Sequence, residues 1–123
     1  MKYWDYVTIN INTAVITDGQ QMNFSVYNKA TGLVTLQYRI FSKTGSIQSQ
    51  TVIGTIDDPK YRPKSAVSII CNTLLTDLIP DTVNINIFYP EALVIDTDGT
   101  FYTSYFWKNV NRKLVYFTVS YYV

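Results

Sequence analysis

The last nine residues, Val115-Tyr116-Phe117-Thr118-Val119-Ser120-Tyr121-Tyr122-Val123, alternate with a period of two between apolar positions and polar or tyrosine positions. Residues two apart lie on the same face of a β-strand, so this stretch predicts a strand whose Phe117 side packs on a core. Tyr116 and Tyr122 point to the opposite side. They need a partner of their own, which is either a loop or another copy of the chain.

Further stretches alternate in the same way at residues 7–12, 22–26, 34–40 and 83–87. Turn sequences separate the apolar runs, and the strongest is Asp98-Gly99, which predicts a β-hairpin. Only residues 73–79 favour a helical turn. Regularly spaced strands with one apolar face predict an all-β fold, an antiparallel β-sandwich of jelly-roll-like form, built as one domain over residues 1–123.

The composition excludes several kinds of chemistry. The chain has 123 residues, no histidine, one cysteine, a net charge of +1 and 15% charged residues. Histidine triads and histidine metal sites are therefore impossible within it, and Cys71 cannot form an intrachain disulfide. A nearly neutral chain also lacks the broad basic surface that binds nucleic acid. We expect no catalytic residues, no metal, no cofactor and no nucleic-acid partner.

The apolar runs are too short for a membrane protein of the helical kind. None approaches the roughly 18 residues that a helix needs to span a bilayer. The first five residues, Met1-Lys2-Tyr3-Trp4-Asp5, lack the apolar stretch of a signal peptide. We therefore expect no membrane insertion.

Asp96 and Asp98 are the best candidates for a catalytic carboxylate pair, since they lie two apart beside a turn. Glycoside hydrolysis needs two carboxyl groups held about 5–10 Å apart. Aspartate next to a turn more commonly accepts hydrogen bonds from nearby backbone, and Asp57 and Asp58 favour the same interpretation. A small polysaccharide depolymerase that uses Asp96 and Asp98 stays open as an alternative, behind this turn chemistry.

Aromatic residues make up 15% of the chain, and eleven of them are tyrosines. Rings mixed with Asn, Gln, Ser and Thr suit the flat C–H faces and the polar edges of sugars. The mixture is densest over residues 102–109, where a strand would place Tyr105 and Trp107 on one face. We expect a saccharide-binding site made by Tyr105, Trp107, Lys108, Asn109 and Trp4.

Residues 53–63, Ile53-Gly54-Thr55-Ile56-Asp57-Asp58-Pro59-Lys60-Tyr61-Arg62-Pro63, carry a resemblance to a known family. They resemble the stretch G-x-I-x-x-L-P-x-G-Y-R-P in the C-terminal domains of phage tail fibre and baseplate receptor-binding proteins, especially from phages of Gram-positive bacteria. The family has a strand before this stretch, here at 34–38. After it come an Asp-containing hairpin and an aromatic final strand, here at 94–101 and 119–122. Asp58-Pro59 replaces the family's Leu-Pro, and Lys60 replaces its glycine.

The resemblance implies a β-sandwich head that acts as a homotrimer at the tail tip of the virion. Its expected partners are a host cell-surface saccharide and other phage tail or baseplate proteins, and it carries over no catalytic residue. The apolar C-terminal strand is then the expected threefold seam. Pro63 restricts Arg62 to extended geometry, so we expect Tyr61 to pack inward while the Arg62 guanidinium bonds to backbone carbonyls or an acid. A structural assembly domain without a glycan site stays open as the second interpretation.

Overall fold

The computed structural model describes residues 3–17, 24–43, 47–75, 88–107 and 112–123. In these ranges the chain forms antiparallel strands and one short 3₁₀ helix, over Pro59–Tyr61. The all-β prediction is therefore confirmed. The strands are β1 (Trp4–Tyr6), β2 (Ile9–Ile11), β3 (Ile16–Thr17), β4 (Phe24–Asn28), β5 (Leu33–Ser42), β6 (Val52–Ile56), β7 (Val67–Leu75), β8 (Phe88–Ile95), β9 (Thr100–Thr103) and β10 (Arg112–Tyr122).

The strands of the described ranges form a single ten-stranded sheet. Its order is β1-β4-β5-β10-β7-β8-β9-β6-β2, and β3 pairs with β5 outside this path. The predicted β-sandwich of jelly-roll-like form is not confirmed, because the described strands belong to one continuous hydrogen-bonded sheet. This sheet curls until its two halves face each other.

The first strand segment explains how the sheet curls. β1 and β2 lie at the two ends of the sheet order, although only Val7 and Thr8 separate them in the chain. The Val7 amide donates to the carbonyl of Ser25 in β4 at 2.9 Å, and the Thr8 carbonyl accepts from the amide of Asp57, just after β6, at 3.0 Å. In an extended segment, the N–H and C=O groups of successive residues point to opposite sides. Val7 therefore bonds to β4 near one edge of the sheet, and Thr8 bonds to the residue after β6 near the other edge.

The core lies between the two facing halves of the sheet. Phe117 of β10 meets Phe101 of β9 edge to face with ring centroids 6.0 Å apart, although β10 and β9 are not neighbours in the sheet. Tyr38 of β5 stacks on the same Phe117 ring. Ile9 of β2 and Ile40 of β5, also distant in the sheet, line one small void. The outer side of β5 and β10 therefore points away from the outer side of β9 and β6.

Tyr61 connects three parts of the fold. Its ring is buried, and its hydroxyl donates to Asp5 Oδ2 at 3.2 Å. Its carbonyl accepts from the Tyr121 hydroxyl at 2.7 Å, and burial raises the pKa of Tyr121. The expectation that Tyr61 packs inward is confirmed, and the residue holds the link after β6 against both β1 and β10.

Arg62 has the structural role that the sequence predicts. Its Nε donates to the Ile56 carbonyl at 3.0 Å and its Nη2 to the Asp57 carbonyl at 3.2 Å. The side chain runs beneath Gly99, where a Cβ atom would lie 2.7 Å from Arg62 Nε. The motif thus fastens the 3₁₀ segment to the hairpin between β8 and β9.

Several local predictions can be compared with these elements. The hairpin at Asp98-Gly99 is confirmed, because β8 pairs with β9 across it. The helical turn predicted over 73–79 is wrong for residues 73–75, because β7 continues to Leu75. Residues 76–79 and the strand predicted at 83–87 lie outside the described residues. The strand predicted at 22–26 is β4, but its faces are reversed: Phe24 faces outward, and Tyr27 packs inward on Tyr61 at 5.3 Å.

Across the described ranges, no helix has the length and apolar character needed to cross a membrane.

Candidate binding faces

The exposed large apolar side chains of the described residues gather on two outer sides of the sheet. We call the outer side of β1, β4, β5 and β10 the ring face, and the outer side of β7, β8, β9 and β6 the aliphatic face. Exposed apolar clusters of this kind mark interaction surfaces more often than isolated side chains do. The ring face carries Tyr3, Trp4, Tyr6, Phe24 and Tyr122, and the aliphatic face with the turn that follows it carries Val52, Ile70, Tyr105 and Phe106.

On the ring face, the strand register arranges the side chains in rows across the strands. Directly opposite residues lie with their Cβ atoms about 5 Å apart, and successive rows are about 7 Å apart. The face therefore offers rings, amides and hydroxyls over an area of about 14 Å by 14 Å. The rows are Trp4, Asn28, Leu33 and Tyr122; then Tyr6, Val26, Thr35 and Ser120; then Phe24, Gln37 and Thr118.

Two of the rings have an amide as their direct neighbour across the ladder. Asn28 lies opposite Trp4, and Gln37 lies opposite Phe24. The Asn28 Oδ1 atom accepts from the amide of Ala30 at 2.9 Å, which holds the Asn28 side chain in one orientation. Each ring thus has a hydrogen-bonding group about 5 Å away. A sugar stacked on the ring therefore brings its edge hydroxyls close to the amide.

The centre of the ring face is polar and uncharged, and a pair of opposite charges lies at its edge. In the middle row, the hydroxyls of Thr35 and Ser120 are 2.9 Å apart, and either can donate to the other. At the edge, Lys29 Nζ lies 3.3 Å from Asp5 Oδ1, so the two charges neutralise each other. The three rows carry no charged side chain, which suits a polyhydroxyl ligand, and the exposed Arg39 adds a cation beyond the last row on β5.

Trp4 and Tyr6 form the most structured part of the ring face. Their ring centroids are 4.7 Å apart, and their planes are inclined by 75°. One ring therefore presents its face where the other presents its edge, and the two make a corner. A flat apolar group can stack on one wall of this corner while its rim contacts the other.

The structure separates the residues that the sequence placed in one saccharide site. Trp4 lies in the ring face, whereas Tyr105 follows β9 on the other side of the molecule. Trp107 is only 3% exposed, and its Nε1 donates to the Ile47 carbonyl at 2.9 Å, so its ring belongs to the core. Lys108 and Asn109 lie outside the described residues.

The physical reason for this separation is that β9 ends at Thr103, so the strand considered over 102–109 does not continue through residues 104–107. The chain turns at Ser104, whose carbonyl accepts from the Trp107 amide at 3.1 Å. The turn sends Trp107 into the core and leaves Tyr105 and Phe106 71% and 85% exposed. We call Ser104 to Trp107 the aromatic turn.

The aliphatic face differs from the ring face in chemistry. Ile70 lies opposite Ala92, and Tyr102 lies opposite both Val94 and Val52. Ile70 is 71% exposed. This face therefore combines methyl groups with the ring and hydroxyl of Tyr102 and with the exposed Ser68 opposite Val94, and it lacks the paired rings and amides of the ring face.

The aspartates have structural partners in the hairpin turn. Asp98 Oδ1 accepts from the Thr100 amide at 2.9 Å, and Asp96 Oδ1 accepts from the Thr97 amide at 2.8 Å. The hydrogen bond from Thr100 lowers the pKa of Asp98. A general acid for glycoside hydrolysis needs a raised pKa, so this environment favours turn chemistry over catalysis.

Sequence reasoning missed most of the ring face. Tyr6 is not among the expected site residues although Trp4 is, the alternation predicts Phe24 on the core side of its strand, and Gln37 enters only as part of an alternation. The available signal was the continuous odd–even pattern from Trp4 to Asn12, in which the even residues turn outward and the odd ones inward. Pairing that pattern with the correct face of β4 would have required the strand register.

No protein-family model matches the chain, and no curated protein matches it. What the chain does has to be inferred from the chemistry of its two faces. The ring face offers the more specific chemistry, because it combines rings with directional hydrogen-bonding groups.

Proposed function

We propose that this chain is a non-enzymatic adhesion module of a phage tail, which recognises a host cell-surface saccharide through its ring face. The observation that carries the proposal is the placement of an amide directly beside a ring, at Trp4 with Asn28 and at Phe24 with Gln37. Rings stack on the C–H faces of sugars, and amides and hydroxyls bond to the sugar hydroxyls. The rows of the ring face carry no charged side chain, which matches an uncharged polyhydroxyl ligand.

The phage tail assignment draws on the Tyr61-Arg62-Pro63 motif. Its residues hold the fold together through Asp5, Tyr121 and the backbone near Ile56. A structural motif of this kind indicates a family of folds and leaves the binding surface to other residues. Under this proposal three copies act together at the virion tail tip, and their linked sites convert weak contacts into avidity.

The test begins with an array of bacterial cell-wall and capsular saccharides, followed by calorimetric titration with a soluble fragment of the saccharide that binds. Trp4→Ala and Tyr6→Ala should each weaken the affinity about fivefold, since one aromatic contact contributes about 1 kcal/mol. Both side chains are exposed, so the melting temperature should stay close to that of the wild type.

Tyr105→Ala is the matched control, because it removes a similarly exposed ring from the aromatic turn. Titration with a soluble fragment measures each site separately, so this variant should bind as the wild type does. Loss of affinity in Tyr105→Ala with normal binding by Trp4→Ala would move the site to the aromatic turn and contradict the assignment to the ring face.

A second candidate function is an assembly domain whose rings contact only neighbouring tail proteins. The observation that favours it is the same set of exposed tyrosines and tryptophan, because these residues are enriched at protein interfaces. A folded protein that binds no saccharide on the array and does not adsorb to host cells would support this second function.

A further inference from the structure

We infer that the ring face binds a stretch of about four units of a linear glycan, which lies along β4 with its first and last units stacked on separate rings. The inference rests on the proposed function and deepens it, because it names the class of saccharide and a second place where the saccharide is held. A site for a single terminal sugar needs only one ring, whereas β4 is flanked by a ring and an amide at each of its ends.

The first observation is that β4 contributes one residue to each of the two ring–amide pairs. Its last residue, Asn28, lies opposite Trp4 of β1. Its first residue, Phe24, lies opposite Gln37 of β5. Residues 24 and 28 are four apart, so they share one face of the strand and lie about 14 Å from each other along it. The two pairs are therefore separate points of contact at the ends of one line.

The distance between the two pairs fits the repeat of a sugar chain. One pyranose unit advances an extended glycan by close to the spacing of neighbouring strands, about 5 Å. A distance of about 14 Å therefore corresponds to three such steps, so the units over the two rings are the first and the fourth. A fragment of three units or fewer reaches only one of the two pairs.

The second observation is that the surface between the two pairs is low. Val26 lies midway between them on β4, with Tyr6 opposite it on β1 and Thr35 opposite it on β5. The half-buried valine is shorter than the rings at either end, so the middle units of a glycan pass over it without a clash. The hydroxyls of Thr35 and Ser120, 2.9 Å apart, lie beside this path and can bond to the edges of those units.

The third observation is that the amides at the two ends are open to a ligand. Asn28 Oδ1 accepts from the amides of Ala30 and Thr31 at 2.9 and 3.3 Å, which leaves the Asn28 Nδ2 group to donate. Gln37 is exposed, and within the described ranges its side-chain amide has no protein partner. The fixed Asn28 donor loses little conformational freedom when a sugar stacks beside it.

The two ends of the path differ in strength. At Trp4 the Tyr6 ring adds a second wall, with the two centroids 4.7 Å apart. Phe24 makes no ring contact with any other described residue. Short fragments should therefore occupy the corner of Trp4 and Tyr6 first, and only fragments long enough to reach Phe24 gain from its ring.

The test is calorimetric titration of the full chain with fragments of increasing length, cut from the saccharide that binds on the array and separated by size. The wild type should bind fragments of four units about fivefold more tightly than fragments of three, because one more aromatic contact is made. Phe24→Leu keeps an apolar side chain but removes the ring, so it should bind both lengths equally. Fragments of two units should bind Phe24→Leu as they bind the wild type.

Three further variants separate stacking from other effects. Phe24→Tyr keeps the ring and should restore the rise at four units. Phe106→Leu is the matched control, because it removes an exposed ring from the aromatic turn and should leave the rise unchanged. Gln37→Ala changes an exposed side chain at the same end as Phe24 and should reduce the rise without changing the melting temperature.

A wild type whose affinity stays the same from three to four units would overturn the inference, and so would a rise that persists in both Phe24→Leu and Gln37→Ala. The proposed function would survive either result if Trp4→Ala still weakens binding at every fragment length. Equal binding by the wild type and Trp4→Ala at every length would instead remove the saccharide site from the ring face, and the inference with it.

Discussion

At the scale of single residues, Gly99 and Arg62 show how one backbone position allows a whole motif to pack. Gly99 has a φ of +85°, which glycine adopts without the steric penalty of other residues. The missing side chain also makes room for Arg62, whose Nε, Cδ and Cγ atoms would all lie within 3.0 Å of a Cβ at this position. The hairpin turn and the Tyr61-Arg62-Pro63 motif therefore depend on the same glycine.

Gly99→Ala should lower the free energy of unfolding by about 2 kcal/mol or more, because left-handed strain adds to the clash with Arg62. Gly32→Ala is the control, since Gly32 has a similar φ of +73° but nothing within 4 Å of its Cβ position. Only the strain of about 1 kcal/mol is expected there. Urea unfolding measures both, and equal losses would show that Arg62 does not press on Gly99.

Asp98 makes the stability of the folded protein depend on pH in the acid range. The hydrogen bond from Thr100 holds its pKa below the ordinary value of 3.8, so the folded state favours the carboxylate. The resulting stability is present above the unfolded pKa and is lost as the pH falls through the lower folded pKa. Asp98→Asn cannot titrate, so its urea midpoint should change less than that of the wild type between about pH 4.5 and pH 2.5. Identical pH profiles would contradict this account.

At the scale of elements, Thr103 attaches the segment 47–51 to the end of β9. Its Oγ1 donates to the Gln48 carbonyl at 2.7 Å and accepts from the Thr51 amide at 2.8 Å. The Thr103 side chain is fully buried, so water does not compete for its hydroxyl in the folded protein. This attachment positions Ile47, whose carbonyl accepts from Trp107 and so supports the aromatic turn.

Thr103→Val keeps the shape of the side chain but removes the hydroxyl that partners the Gln48 carbonyl and the Thr51 amide, both of which are partly buried. It should lower the free energy of unfolding by about 1–2 kcal/mol. Thr35→Val is the matched control, because the Thr35–Ser120 hydroxyl pair lies at the surface and water can replace it, which limits the loss to about 0.5 kcal/mol. Equal thermal shifts in the two variants would mean that the 47–51 segment is held by other contacts.

The sequence could predict the strands whose alternation is strong, and it could predict the roles of Tyr61 and Arg62. Those features depend on local spacing and on the fixed geometry that Pro63 imposes. The reversal of β4 could not be predicted, because Phe24 is more apolar than Ser25 and only the register with β5 decides which one faces the core. Trp107 was misplaced for a similar reason: a turn at Ser104, and not its own chemistry, sends the ring inward.

At the scale of the whole molecule, one closed sheet gives the chain two outer surfaces of different chemistry. Residues 4–11 bond to both edges of the sheet, and the halves pack through Phe101 and Phe117. The two outer sides consequently point away from each other. A ligand bound on the ring face therefore leaves the opposite outer side uncovered.

The most direct test of saccharide recognition through the ring face is hydroxyl-radical footprinting of the wild-type protein with and without its bound saccharide. Mass spectrometry reads the oxidation rate of each exposed ring in one experiment. We predict that Tyr6, Phe24 and Tyr122 lose reactivity when the saccharide binds, while Tyr105 and Phe106 keep the rates that they had without it. Protection of Tyr105 and Phe106 by the saccharide, with no change at Tyr6, Phe24 and Tyr122, would contradict the account.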